Sequence, residues 1–328
     1  MSAMIVEKLL RTGAIPGARR GRVCPVKLDT TALPGGSIVM LLFVNDEVEP
    51  SYVLRTPRTP DRPQRILTNY NTLRYLSQVR PLSGSVPRPI FCGELDGEVT
   101  SVETCVPGLP LAVSLRNARY EGRRDDAAWL FALSARWLWN LHVATATKAA
   151  LEPGRQSPQE QRAMRAVCAM WDHGLIEDFQ ARSLFGAVRV GAQPCMPRAR
   201  VHGDYNPNNT LVDGRRDLHV IDWEFSTQGW ALWDLFTLAR TSWFHPPGVV
   251  QPDAVLAQEI WDPRTPMGRA FARALRRYED RWGIRRDQCR LLFGVYIAEY
   301  ILEQKGAELT RGVSAAWRTL MQAAVEFE

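Results

Sequence analysis

Three oxygen-bearing side chains, Asp204, Asn209 and Asp222, stand around a short apolar pattern that could do chemistry. Residues 201–234 read VHGDYNPNNTLVDGRRDLHVIDWEFSTQGWALWD. Apolar runs at 209–212 and 218–223 flank Asp213-Gly214-Arg215-Arg216-Asp217. Asp-Gly between apolar runs is a strong hairpin signal. A hairpin brings its open ends together, so the three side chains converge without an intervening helix. A hard cation such as Mg²⁺ takes oxygen ligands and keeps its waters. One carboxylate and one amide suffice where phosphate supplies the rest. Asn209 and Asp222 suit that task. Asp204, five residues before Asn209, can orient a hydroxyl and accept its proton as a phosphoryl group arrives.

The run His202-Gly203-Asp204, four residues, Asn209, then Ile221-Asp222-Trp223-Glu224, resembles the catalytic core of the aminoglycoside phosphotransferase and choline kinase-like superfamily. Trp233-Asp234-Leu235 is similar to that family's helix start after the metal-binding aspartate. The resemblance implies an α+β, bilobal protein kinase-like fold. A small antiparallel-sheet N-lobe at 1–106 would bind nucleotide. A mainly helical C-lobe at 107–328 would carry catalysis and substrate. ATP or GTP with Mg²⁺ would sit between them. Asp204 would be catalytic, and Asn209 and Asp222 would hold the metal. His202 would support the loop by hydrogen bonding rather than act as base, and Asp234 would bond loop backbone. Glu224 is open to two places, behind the metal or facing substrate.

Upstream elements must position this core. A helix is expected over 1–15, then strands at 23–28 and 37–44 rich in β-favouring residues. Between them lies Leu33-Pro34-Gly35-Gly36-Ser37, where two glycines let backbone N–H groups approach a phosphate. In the strand SYVLRT at 51–56, Val53 and Arg55 share one face, Tyr52 and Leu54 the other. The resemblance makes Arg55 the third-strand cation that grips phosphates, a place generally held by lysine. Arginine keeps the charge and can fork onto two oxygens. A helix over 65–78 shows an apolar stripe at Ile66, Tyr70, Leu73 and Leu76. The family places a glutamate there to pair with the cation; this chain has Asn69, which can bond Arg55 but cannot neutralise it. Strands at 87–94 and 98–105 meet at Asp96-Gly97. Val106-Pro107-Gly108 resembles the interlobe hinge, which implies that backbone near Glu103 and Cys105 would bond a purine.

From Asp125 the pattern turns helical, with Leu130, Leu133, Trp137, Leu138 and Leu141 on one face ending at a structural His142. Trp137 and Trp139 read as core packing. Helices are expected within 157–189, and at 267–282, 287–303 and 312–328. On the 287–303 helix, Tyr296, Glu299, Tyr300 and Glu303 share a side. That side reads either as a solvated face or as a receiver for a cationic substrate.

Composition bounds the rest. The 328 residues are 45% hydrophobic, ordinary for a globular chain and long enough for two lobes. No apolar run reaches membrane length. Residues 1–17 lack a signal-peptide layout, so a cytoplasmic location is expected. Six scattered cysteines form no metal or redox motif and read as reduced, small buried hydrophobes. The formal charge of +6 is almost all arginine. The patch at Arg19, Arg20 and Arg22 reads as a solvated turn. Dispersed arginines argue against a nucleic-acid partner. The implied activity is γ-phosphate transfer to a hydroxyl of a small metabolite or antibiotic-like acceptor. A Ser/Thr kinase acting on a peptide is an alternative. A catalytically degenerate nucleotide-binding scaffold, suggested by Asn69, is another.

Overall fold

A computed structural model describes residues 2–17, 23–28, 36–45, 47–59, 63–147, 157–191, 196, 198–246, 249, 252–305, 317–318, 321 and 324. Gly35, the arginines at 19, 20 and 22, and most of the helix expected at 312–328 lie outside these residues. The chain forms two compact units. One comprises Met1–Pro110, His202–Asp204 and Asn209–Ser226; the other comprises Leu111–Val201, Tyr205–Asn208 and Thr227–Glu328. The sequence reading makes one cut, at 106/107. The first unit also gathers two segments from far downstream.

The first unit opens with α1 (Ser2–Arg11). Its sheet holds β1 (Val23–Lys27), β2 (Ser37–Val44), β3 (Tyr52–Pro57), β4 (Pro89–Leu95) and β5 (Glu98–Thr104), with α2 (Gln64–Leu76) between β3 and β4. The strand order is β1-β2-β3-β5-β4, antiparallel throughout. Period-two alternation sorts the residues. Met40, Leu42, Val44, Leu54, Leu95 and Val102 pack with Ile5, Val6, Leu9 and Ile15 in one buried cluster. The intervening positions put Arg55 and Glu103 on the opposite face. Arg55 lies opposite Ser101 and Val53 opposite Glu103, so Arg55 and Glu103 are diagonal neighbours across adjacent strands.

A second, three-stranded sheet in this unit joins β6 (Leu109–Pro110) to β8 (Thr210–Val212) and β9 (Leu218–Val220). Gly108 has φ +117°, and a Cβ there would lie 2.8 Å from the Val212 backbone; only glycine permits that approach. The Asp213 carboxylate accepts the N–H groups of Arg215 and Asp217, both at 2.9 Å, which closes the β8–β9 turn. β9 is shorter than the 218–223 run. It stops at Val220 because Asp222 adopts φ +68°, a left-handed conformation incompatible with extended strand.

The second unit is mainly helical: α3 (Leu111–Tyr120), α4 (Arg124–Thr145), α5 (Pro158–Asp172), α6 (Asp178–Gly191), α7 (Leu232–Ala239), α8 (Ala254–Glu259), α9 (Pro266–Trp282) and α10 (Arg286–Lys305). A π-helical turn, Arg240–Phe244, extends α7. β7 (Arg198–Val201) and β10 (Thr227–Trp230) form a two-stranded ribbon. Local chemistry sets the ends. Ser157 and Glu160 form a reciprocal capping box on α5. Thr265 caps α9 ahead of Pro266, and left-handed Gly283 ends it. Trp139 packs edge-on to Tyr278 and Trp282, and Trp137 stacks on Tyr205 at 5.8 Å, so both tryptophans are packing residues. The Tyr205 hydroxyl also bonds the Ser134 side chain and carbonyl on α4. Among the described residues the cysteines are free thiols. Cys289 is buried, but Cys24 is exposed, because it lies on the outermost strand, β1.

Leu54 is fully buried in the sheet–α1 cluster, one residue from Arg55. Leu54→Ala is expected to lower unfolding stability by about 2–5 kcal/mol, read from denaturant midpoints. A loss under about 1 kcal/mol would contradict this packing.

Candidate functional site

Arg55 is a buried cation on β3, only 6% exposed. Its Nε donates to Glu103 Oε1 at 3.3 Å and its Nη1 to Asp222 Oδ1 at 2.9 Å. Burial alone disfavours the charge. The carboxylates of Glu103, Asp222 and Glu224 outweigh it and hold the guanidinium protonated more firmly than an ordinary arginine. Asn69 does not bond Arg55. Its Nδ2 donates to Glu103 Oε2 at 2.6 Å, and its Oδ1 accepts the Trp223 N–H at 2.9 Å. The carboxylate missing from α2 is therefore present on β5. Sequence reasoning assigned Glu103 by its backbone, near a hinge, and missed its side chain. Alternation sets Glu103 on the face of its own strand opposite Val102, and only the β3–β5 register puts it beside Arg55. The Cys105 N–H is bound to the Ser51 carbonyl at 2.9 Å.

Residues 202–204 and 209 are bonded to the turn at 221–225 within the same unit. Asn209 Nδ2 donates to both the Asp204 carbonyl and Asp204 Oδ2, each at 3.0 Å. The Ile221 N–H reaches the Asn209 carbonyl at 3.0 Å. These bonds bring Asp204, Asn209 and the Asp222 turn together. His202 is fully buried. Its Nδ1 accepts the Asp204 N–H at 3.3 Å, while Nε2 faces the Ile221 carbonyl at 2.9 Å. That geometry calls for the neutral tautomer with the proton on Nε2, and it uses both nitrogens for support. Gly203 has φ +85°, and a Cβ there would lie 2.4 Å from the Phe225 carbonyl oxygen; the loop can close on the turn only with glycine. Asn206 Oδ1 accepts the Asn208 N–H, a local side-chain turn.

Glu224 joins this region to the start of β2. Its Oε2 accepts from Ser37 Oγ at 3.1 Å, and its Oε1 faces Arg65 Nη1 at 3.3 Å. The Arg65 guanidinium also lies 4.6 Å from the Phe225 ring centre. Burial and the neighbouring Asp222 charge push the Glu224 pKa up. Gly36 accepts the Arg58 N–H through its carbonyl. Two guanidiniums, Arg55 and Arg65, thus face three carboxylates, Glu103, Asp222 and Glu224. The surplus negative charge and the hard donors fit a divalent cation. Asn209's amide oxygen and the Asp222 carboxylate are the groups that could hold it. Among the described residues, no three His, Cys, Asp or Glu side chains cluster as a self-sufficient metal site.

In the helical unit, His142 Nδ1 lies 2.7 Å from the Tyr278 hydroxyl and Nε2 lies 3.3 Å from Asp234 Oδ2. All three residues are buried, so His142 is a satisfied core histidine. On the face carrying Tyr296, Glu299, Tyr300 and Glu303, Tyr296 and Glu299 are buried, Tyr300 is half-buried and Glu303 is exposed. Arg240 occupies it. Arg240 Nε donates to the Tyr296 hydroxyl at 2.8 Å, and its guanidinium lies 3.8 Å from the Tyr300 ring centre. Glu299, 8% exposed, accepts the Trp233 indole N–H at 2.6 Å. Burial pushes its pKa up to about 7, opposed by the Trp233 hydrogen bond and by Arg162.

A sheet-bearing unit with a buried cation on an acidic turn, and a separate helical unit, define a kinase-like phosphotransferase. The chain belongs to the phosphotransferase enzyme family, whose sequence pattern matches residues 29–291. Solved structures share the fold. The choline kinase LicA from Streptococcus pneumoniae is 14% identical, with TM-score 0.52 over 99% of this chain and 97% of that one. The macrolide 2'-phosphotransferase MphH from Brachybacterium faecium is 19% identical, with TM-score 0.50 over 98% of each chain. APH(2")-IIa, in a ternary complex with streptomycin and ATP, is 15% identical, with TM-score 0.54 over 97% of this chain and 98% of that one. No curated protein is significantly similar in sequence. Among the described residues, no helix is long and apolar enough to cross a membrane.

Glu299 carries a pH consequence. An ordinary glutamate titrates near 4.5, and folded Glu299 near 7. The acid form contributes its full stability below the lower value. That contribution is lost as pH rises through the upper one. Glu299→Gln is neutral at every pH. Between pH 5 and pH 8 the wild type is expected to lose stability relative to Glu299→Gln, measured by thermal unfolding at each pH. A constant difference across that range would contradict the assignment.

Proposed function

We propose that this chain catalyses Mg²⁺-dependent transfer of the γ-phosphate of ATP or GTP to a hydroxyl of a small metabolite or antibiotic-like acceptor. One observation carries the reading: buried Arg55 is bonded to Asp222, and the turn holding Asp222 is bonded to the Asp204–Asn209 pair. The named relatives support the class. LicA is a choline kinase, MphH a macrolide phosphotransferase, and APH(2")-IIa was solved with streptomycin and ATP.

The proposed roles follow from charge and reach. Asp204 orients the acceptor hydroxyl and takes its proton as the oxygen–phosphorus bond forms. The bond from the γ-phosphorus to the bridging oxygen breaks, and its electron pair stays on the departing nucleoside diphosphate. Arg55, fixed as a cation, would stabilise the phosphate oxygens on which that charge collects. Asn209 and Asp222 would hold the Mg²⁺, which when bound would neutralise phosphate charge. Gly35, Gly36 and Ser37 would position the phosphates, and Ser37 opens β2. The purine would bond backbone near Glu103 and Cys105, where the Cys105 N–H is already bound to the Ser51 carbonyl. Residues 1–106 serve the nucleotide and residues 107–328 the acceptor. The ground for a degenerate scaffold was an amide where a carboxylate is needed. Glu103 beside Arg55 supports catalysis over that scaffold.

Asp204→Asn keeps the shape and removes the base. It is expected to cut kcat about 10²–10⁴-fold while the MgATP Kd stays within about threefold of wild type. Single-turnover transfer to a panel of hydroxylated small molecules, with parallel nucleotide titration, measures both. Unchanged turnover would refute the role of Asp204.

A further inference from the structure

Resting on that reading, we infer that Glu103 is the positioning residue for Arg55, and that Asn69 is a neutral tie joining this pair to the Asp222–Trp223 turn. The phosphate clamp is thereby built into the sheet rather than assembled by docking α2. In protein kinases the equivalent counter-ion sits on a helix, and moving that helix makes or breaks the pair. Here the counter-ion is one strand away. β3 and β5 are adjacent, with Val53 opposite Glu103 and Arg55 opposite Ser101. The Arg55–Glu103 contact is therefore set by backbone register, the same constraint that buries Leu54 and Val102 on the other face.

α2 contributes no charge to the pair. Its Asn69 is 1% exposed and is used from both ends. Nδ2 donates to Glu103 Oε2 at 2.6 Å, and Oδ1 accepts the Trp223 N–H at 2.9 Å. A carboxylate at 69 could not do both tasks, because it has no proton to give Glu103 and would face it as a like charge. An amide is the side chain that bridges a carboxylate and an N–H. The arrangement separates two functions. Glu103 fixes where the Arg55 guanidinium points. Asn69 fixes where the turn after Asp222 sits, and Asp222 has φ +68°, a conformation its surroundings must hold.

The test follows the Arg55 Nε–H signal by NMR in the full chain, together with MgATP titration and kcat. In wild type the Nε proton is expected to exchange slowly. Glu103→Gln is expected to lose that protection and weaken MgATP binding by about tenfold or more. Asn69→Ala is expected to keep Nε protection and hold MgATP affinity within about threefold, while kcat falls about tenfold or more through the Asp222 turn. The exchange Asn69→Glu with Glu103→Asn returns a carboxylate to α2 and is expected to recover part of the affinity lost in Glu103→Gln. Nε protection lost in Asn69→Ala, or affinity and kcat within about twofold of wild type in Glu103→Gln, would overturn the assignment. Should Glu103→Gln fail to fold, the Asn69→Ala spectrum alone decides. Absent MgATP binding by wild type, with Nε protection behaving as stated, refutes the proposed kinase activity and not the sheet-built pair.

Discussion

A buried guanidinium is the constraint on which the first unit depends. Removing a charge from water is expensive unless carboxylates and hydrogen bonds replace the solvent. Arg55 meets that requirement with Glu103 from the neighbouring strand and Asp222 from a turn 167 residues away in sequence. Satisfying Arg55 therefore recruits the downstream hairpin into the N-terminal unit. The positive φ of Asp222, the Asn69 bridge to Trp223 and the Gly203 approach to Phe225 all serve the same placement.

The same satisfaction leaves charge over. Glu103, Asp222 and Glu224 outnumber Arg55 and Arg65, and burial, with the neighbouring Asp222 charge, pushes the Glu224 pKa up. A site with excess hard anionic donors and a fixed cation is suited to a metal–polyphosphate ligand, whose two charges complement both parts. In the helical unit the balance is struck internally. Arg240 is enclosed by Tyr296 and Tyr300, and Glu299 is bonded by Trp233.

Much of this was legible in the sequence where side-chain period and turn chemistry speak directly. The β2 run at 37–44, the β8–β9 hairpin around Asp213-Gly214, and the placing of Arg55 opposite Leu54 follow from alternation and from Asp-Gly. Long helices such as α4, α9 and α10 follow from apolar stripes. The strands β6, β7 and β10 span two to four residues, too short for any period to register. The helix α3 was missed beside the Pro-Gly-Leu-Pro sequence that precedes it. The Glu103 side chain was missed because pairing partners across a sheet depend on strand order, which alternation does not encode. The burial of Glu299 is not legible because a glutamate on a helix is usually solvated; only tertiary packing buries it.

The most direct test of the central claim, that this acidic turn and its buried arginine receive a metal–nucleotide, is a crystal structure with Mn²⁺ and a non-hydrolysable ATP analogue. The expected result is an anomalous peak ligated by Asn209 and Asp222, with Arg55 against the phosphates. A nucleotide and metal bound elsewhere, leaving Asn209 and Asp222 without the ion, would contradict it.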